Sequence, residues 1–157
     1  MAPSRRLSVE ARGALQAAQQ IARERSCPHV LPAHIALAIL EAADCAALSV
    51  LHEMGIDARR LQRALLDDLP DVKAGPTPAD IPLAPSAARC LQMAYVEARK
   101  ARARSCDCSG KPTITTEHLL LGLISPSADA GLTALRSHGV FYGEVGETMR
   151  RMANSDA

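Results

Sequence analysis

The sequence is poor in aromatic residues and carries almost no net charge. Aromatic residues make up 2% of the 157 positions and Trp is absent, so any core has to be built from aliphatic side chains. Eighteen basic residues against seventeen acidic ones leave a net charge of +1. This balance lacks the basic excess of proteins that bind nucleic acids or membrane surfaces. We therefore expect neither nucleic acid nor membrane as a partner.

Long apolar runs and a recognisable disulfide pattern are also missing. No apolar stretch approaches the roughly 20 residues of a transmembrane helix. The opening MAPSRRLSVEARG has no apolar core of the kind that signal peptides carry. The five cysteines are odd in number and match no secreted disulfide framework. These absences predict a protein of the reducing cytoplasm.

What the sequence has in quantity is Ala and Leu, within a hydrophobic content of 48%. Both residue types lose little free energy on entering a helix, so the composition predicts an all-α fold. The sequence also repeats itself. LSVEARGALQAAQQIAR, residues 7–23, aligns with LAPSAARCLQMAYVEAR, residues 83–99, at an offset of 76. Eight extra residues then raise the offset to 84, which pairs His34 with His118 and Gly55 with Gly139.

This agreement predicts a tandem duplication inside one domain that spans residues 1–157. We place repeat one at about 7–69, a Pro-rich linker at 70–82 and repeat two at about 83–153. Each repeat predicts four helices, about eight in all. In repeat one the expected helix signals are an N-cap at Ser8, a helix start at Pro32, a third helix from near Asp44 to Gly55, and an N-cap at Asp57. In repeat two the predicted helices are Pro85 to about Arg104, Thr116 to Ile124, Ala128 to Ser137 and Tyr142 to Met152.

These features carry a family resemblance. Two four-helix units, each with a third helix that ends at Gly, together with ITTEHLLLGLI at residues 114–124, resemble the Clp N-terminal repeat domain of ClpA- and ClpC-type Hsp100 unfoldases and of stand-alone relatives. The first copy has the degenerate version LPAHIALAIL, residues 31–40. The resemblance implies an all-α domain whose two tandem four-helix repeats are related by a pseudo-two-fold axis, with no catalysis and no cofactor.

The same resemblance implies protein partners. No G-x-x-x-x-G-K-[ST] phosphate loop occurs in the sequence, so an ATPase site is not expected in this chain. We expect the chain to bind protein substrates, adaptor proteins or the Clp ATPase itself. The front of an unfoldase and a free-standing relative both fit this expectation.

The resemblance also points to candidate binding residues: Ser8, Thr116 and Glu117. In relatives that recognise phosphoarginine, the Glu of the TEH motif holds the guanidinium, aided by a hydroxyl at the start of the first helix of the same copy. Here repeat two has Glu117 but Ala84 at the hydroxyl position, whereas repeat one has Ser8 but Ala33. The sequence therefore predicts two incomplete pockets. A carboxylate in a first helical turn is also stabilised by the helix dipole alone.

The loops RSCPH and RSCDC offer an alternative function, that of a metal- or redox-sensing regulator. Their candidate zinc ligands are Cys27, His29, Cys106 and Cys108. The C-x-H and C-x-C spacings are tighter than the gaps of structural zinc sites, so the sequence favours ordinary solvent-exposed thiols in these loops. Cys45 and Cys90 are predicted to be small core residues. His34 and His118 are predicted to be structural and bonded to the backbone.

Overall fold

The computed structural model describes residues 6–42, 44–70, 79–104, 110–128 and 132–155. In these residues the chain forms eight α-helices and no β-strand, which confirms the all-α prediction. Repeat one contributes α1 (Val9–Glu24), α2 (Pro32–Glu41), α3 (Ala46–Glu53) and α4 (Ala58–Asp68). Repeat two contributes α5 (Pro85–Arg104), α6 (Thr116–Ile124), α7 (Thr133–Ser137) and α8 (Tyr142–Ser155).

Local sequence signals set several helix ends where we expected them. The Ser8 hydroxyl accepts the N–H of Ala11 at 3.1 Å at the start of α1. The Asp57 carboxylate accepts the backbone N–H groups two and three residues further on, at the start of α4. Gly55 and Gly139 follow α3 and α7 with φ of +74° and +82°. A side chain is strained at such angles, so these positions suit glycine and end the helices.

Three predicted helices have different bounds in the structure. The third helix begins at Ala46 rather than near Asp44, because Cys45 is extended (φ −144°) and turns the chain between α2 and α3. The seventh helix is Thr133–Ser137 rather than the predicted run from Ala128. Ala128 instead closes a turn by donating its N–H to Ser125, and residues 129–131 lie outside the described residues. The last helix continues beyond the predicted end at residue 152.

The two repeats are joined by two short parallel backbone bridges, one between Leu7 and Ile114 and the other between Val30 and Leu83. In the duplication, Leu7 corresponds to Leu83 and Val30 corresponds to Ile114. Each bridge therefore becomes the other when the repeats are exchanged. A pair of contacts that stays the same when the two units are exchanged is the signature of two-fold symmetry. The repeats are therefore related by a pseudo-two-fold axis.

Helices α5 and α6 pack closely against each other. A Cβ placed on Gly122 would lie 2.3 Å from the carbonyl oxygen of Cys90 and 2.9 Å from the backbone nitrogen of Ala94. The equivalent residue of repeat one is Ala38, which is buried. The second helix of repeat two therefore packs against its first helix through bare backbone, whereas repeat one accommodates a methyl group.

No single helix in the described ranges is both long and apolar enough to cross a membrane. The pair α2 and α3, which meet at a bend of 84°, reaches that threshold only when both helices are taken together, by length and composition.

Candidate functional site

The three candidate residues lie where helices of different repeats begin side by side. The N–H of Ser8 donates to the carbonyl oxygen of Ile114 at 2.9 Å, and the N–H of Ile114 donates back to Arg6 at 2.7 Å. Ile114 precedes α6 by two residues, so the first turn of α1 lies next to the segment that leads into Glu117. We call this place the first corner.

The symmetry-related place, the second corner, joins α5 to α2. There the N–H of Ala84 donates to the carbonyl oxygen of Val30 at 3.0 Å. The bridges therefore bring the first-helix start of one repeat next to the second-helix start of the other, and the two incomplete pockets stay a prediction. Each bridge pairs the segment before the first helix of one repeat with the segment before the second helix of the other. The first corner therefore holds the helix starts that carry Ser8 and Glu117. Ala84 accompanies Ala33 in the second.

Thr116 is inside the fold rather than on its surface. Its side chain is only 2% exposed, and its hydroxyl accepts the N–H of Ala47 at 3.3 Å. Ala47 is the second residue of α3, so Thr116 satisfies an amide at the start of a repeat-one helix. Thr116 therefore positions the start of α6 against repeat one, and a direct contact with a partner is not available to its hydroxyl.

Glu117 is half-buried in the first turn of α6. No described residue forms a hydrogen bond or an ion pair with its carboxylate. Burial raises the pKa of this carboxyl above its ordinary value because the ionised form loses water. A half-buried carboxylate without a partner is costly unless a ligand supplies the missing cation or donor.

Glu117 also lines a groove of about 910 Å³ between α5, α6 and α8, which we call the repeat-two groove. Its apolar lining includes Leu121, Met149 and Met152. Its cationic lining consists of Lys100, Arg104 and Arg150. A volume of this size lies in the range of ligand pockets in proteins, and the mixed lining fits an amphipathic occupant.

Sequence reasoning missed a buried charge network at the side of this groove. Glu97 is only 8% exposed, and its carboxylate accepts hydrogen bonds from the ammonium of Lys100 at 3.0 Å and the hydroxyl of Tyr142 at 2.5 Å. The hydrogen bond to Glu97 raises the pKa of Lys100, and burial and Glu97 raise that of Tyr142. The network ties α8 to α5. Its signal was an acid on the otherwise small and apolar buried face of α5.

The paired histidines are structural, as predicted. The Nδ1 atom of His34 accepts the N–H of Leu31 at 2.9 Å, and the Nδ1 atom of His118 accepts the N–H of Thr115 at 3.1 Å. Each ring thereby satisfies an amide at the start of the second helix of its repeat. The two differ in burial: His34 is 0% exposed and its Nε2 has no hydrogen-bond partner within the described residues.

A second groove of about 710 Å³ lies between the repeats, where the α3–α4 connection faces α8. Met54, Gly55 and Asp57 line it from repeat one, and His138 and Glu144 from repeat two.

A family match covers most of the chain. Residues 6–138 match the Clp repeat (R) N-terminal domain. The chain belongs to this family. Uncharacterized proteins of Mycobacterium tuberculosis and Mycobacterium bovis are 32% identical to it over 120 residues, which are 76% of this chain and 43% of each relative. The chain therefore spans less than half the length of these curated relatives.

Solved structures share the fold of this Clp repeat domain. A chain from a malarial protein secretion system superposes with a TM-score of 0.76 at 19% identity, covering 94% of both chains. The Hsp104 N-terminal domain from Candida albicans gives 0.70 at 14% identity, covering 90% of this chain and 87% of that one. A ClpV N-domain in complex with VipB peptide gives 0.71 at 15% identity, covering 91% and 84%.

The cysteines of this Clp repeat domain differ from expectation in one respect. Cys27 is only 1% exposed and its thiol lies 3.8 Å from the carbonyl oxygen of Arg25, so the prediction of a solvent-exposed thiol is wrong here. The loop folds back after α1 and places Cys27 in the core. His29 is exposed, and Cys106 and Cys108 lie outside the described residues. Within the described ranges, no three His, Cys, Asp or Glu side chains cluster as metal ligands.

Cys45 and Cys90 are both buried, which confirms their predicted place in the core. Burial raises the pKa of the Cys90 thiol to about 11 and also raises that of Cys27. These thiols are held in the protonated form, which is the less reactive form toward oxidants and electrophiles.

Proposed function

We propose that this chain is a non-enzymatic binding module of a Clp unfoldase or protease system, which docks protein substrates or adaptor proteins. One observation carries the proposal: the first corner combines Ser8 at one helix start with the half-buried Glu117 at another. Within the described part of the chain, Glu117 has no hydrogen-bond or ion-pair partner. Membership of the Clp repeat family supports it. So does the related fold of a ClpV N-domain that was solved with a bound peptide.

The chemistry of the first corner favours a basic side chain of the partner. The Glu117 carboxylate has room to accept two hydrogen bonds from a guanidinium or a bond from an ammonium, and such charge-assisted bonds are short and strong. The starts of α1 and α6 lie alongside, and helix N-termini favour negative charge. A guanidinium that carries a phosphate therefore matches this corner, whereas the second corner offers only Ala33 and Ala84.

The roles within the corner differ. We assign Glu117 to direct contact with the partner, and Ser8 to the adjoining helix start. Thr116 serves as a positioning residue through its bond to Ala47. We expect a transient contact with micromolar affinity, about −8 kcal/mol. The proposal assigns no reaction to the chain.

Affinity capture tests this function. The immobilised wild-type chain and its Glu117→Ala variant are incubated with lysate of the source cells, and the retained proteins are identified by mass spectrometry. We expect Clp ATPases, their adaptors or their clients in the wild-type eluate, reduced at least tenfold with Glu117→Ala. If none of these three classes is retained by the wild-type chain, the proposed function is wrong.

Glu144→Ala is the matched control for this experiment. Glu144 also stands in the first turn of its helix, so both variants remove a favourable dipole interaction of about 0.3–1 kcal/mol. Glu144 lies in the groove between the repeats and not at the first corner. We expect Glu144→Ala to retain the partners. Equal retention by all three proteins would leave Glu117 as a helix-start residue only.

A further inference from the structure

The repeat-two groove exists because repeat two lacks side chains that fill the same space in repeat one. The duplication pairs Leu65 with Met149 and Leu69 with Ala153. Leu65 is buried on the last helix of repeat one, and Leu69 is buried at the C-terminal cap of that helix. In repeat two, Met149 is half-buried and Ala153 is exposed. Two buried leucines in one copy thus correspond to open apolar lining in the other.

The last helix of repeat two also lines the groove with residues that have no side chain. Gly143 and Gly146 line the groove, and no atom lies within 4 Å of a Cβ placed on either of them. Their counterparts in repeat one are Arg59 and Gln62. Glycines inside a helix cost about 1 kcal/mol each relative to Ala, and here they leave space above the groove rather than serving a close helix contact.

The lining indicates what kind of molecule fits. Met149 and Met152 are flexible and polarisable, and methionines are frequent in surfaces that accept varied apolar side chains. Repeat one shows which chemistry fills this space, since its own occupants are two buried leucines four residues apart, Leu65 on α4 and Leu69 at its C-terminal cap.

Among the described residues Glu117 has no ion-pair partner, whereas Glu97 is paired with Lys100. The groove therefore has one acidic position that a basic side chain can reach, beside the cationic Arg104 and Arg150.

We propose that the repeat-two groove receives an amphipathic helical segment of the partner protein, with two leucine-type residues four positions apart and a Lys or Arg that reaches Glu117. The segment takes the place that Leu65 and Leu69 occupy in repeat one, so each chain has one such site and not two. This inference rests on the proposed function. It adds the class of segment that is bound and the repeat that binds it.

The methionines provide the test, because they report on both grooves at once. The chain is labelled with ¹³C at the methionine methyl groups and titrated with a synthetic helix-favouring peptide of roughly 14 residues. The peptide carries two leucines four positions apart and one lysine a turn away. We expect the Met149 and Met152 methyl signals to shift with saturation, while Met54 in the inter-repeat groove and Met93 on α5 stay in place. Shifts at Met54 alone, or none at millimolar peptide, would overturn the groove assignment.

A substitution that closes the groove completes the test. Ala153→Leu introduces the residue that repeat one has at position 69, and Ala103→Leu is the control on an exposed α5 position outside the lining. We expect Ala153→Leu to weaken peptide binding at least tenfold and Ala103→Leu to leave it unchanged. If affinity capture succeeds but Ala153→Leu retains the same partners as wild type, the groove assignment is wrong and the proposed function stands. If capture fails with wild type, the proposed function itself is wrong.

Discussion

Repeat one closes the space between its first, second and fourth helices with buried aliphatic side chains, whereas repeat two leaves the equivalent space open. Both repeats keep the same order of four helices, a glycine after the third helix and the same histidine bond at the second helix. They differ in the contact between their first two helices, in the repeat-two groove and at the two corners. We therefore propose that repeat one mainly stabilises the fold and that repeat two binds the partner.

The contact between the first two helices distinguishes the repeats most sharply. We expect Gly122→Ala to lower the free energy of unfolding by about 3 kcal/mol, because the new methyl group collides with the backbone of Cys90 and Ala94. Gly13→Ala is the control, since Gly13 lies in α1 and has no atom within 4 Å of its Cβ position. That change should raise stability by about 0.5–1 kcal/mol. Urea unfolding measures both, and a loss below 1 kcal/mol for Gly122→Ala would show that α6 can move away from α5.

The two histidines should differ in their pH dependence. Burial, with a smaller contribution from the charge of Arg25, lowers the pKa of His34 from 6.5 to about 4. Between pH 6.5 and about pH 4, His34 therefore binds a proton in the unfolded chain but not in the folded chain. Stability from His34 is complete above pH 6.5 and is lost as the pH falls toward 4, by about 2 kcal/mol between pH 7 and pH 5. Urea unfolding at a series of pH values should show this slope, and His34→Asn should reduce it.

His118 is the comparison for this effect. Burial also lowers its pKa, but the charge of Glu97 and the carbonyl of Thr113 act in the opposite direction. We expect His118→Asn to change the slope between pH 7 and pH 5 by less than His34→Asn does. Equal slopes for both variants would mean that the two sites bury the imidazole to the same extent.

The open groove predicts a small stabilising change in α8. Gly146→Ala adds a methyl group where nothing lies within 4 Å, so helix propensity alone should raise the free energy of unfolding by about 0.5–1 kcal/mol. Thermal or urea unfolding measures the change. A loss of stability would indicate that α8 packs closer to α5 and α6 than the groove allows.

The smallest effect concerns the thiols. Cys27 and Cys45 of repeat one and Cys90 of repeat two are all buried, so we expect all three to remain unmodified when the native chain is treated with iodoacetamide at pH 8. After unfolding they should react fully, as peptide mass spectrometry would show. Rapid native labelling of Cys27 would place it at the surface and revive the metal- or redox-sensing alternative for its loop.

The local features of the fold were predictable because each depends on neighbouring residues. Ser8 and Asp57 cap their helices, and Gly55 ends α3. The duplication repeats the glycine as Gly139 but has Ala84 and Phe141 at the two capping positions.

The seventh helix was overextended because the turn from Ser125 to Ala128 was overlooked. Its signal was Pro126 at the second position of the turn, where proline is favoured.

The candidate site was predictable only in part. Glu117 stands out within its motif, but nothing in the residue types of Ser8 and Ile114 encodes their contact across the axis. The groove could not be inferred from single residues either, because it results from side chains that repeat two lacks. Glu97 was missed although the sequence carried a signal for it, because an acid among the buried alanines of α5 indicates a buried partner.

The stoichiometry of peptide binding tests the division between the repeats most directly. Isothermal titration of the wild-type chain with the leucine- and lysine-bearing peptide should give one peptide per chain, and the heat should disappear with Ala153→Leu. Two equivalent sites per chain, or full binding by Ala153→Leu, would show that the docking surface is not confined to repeat two.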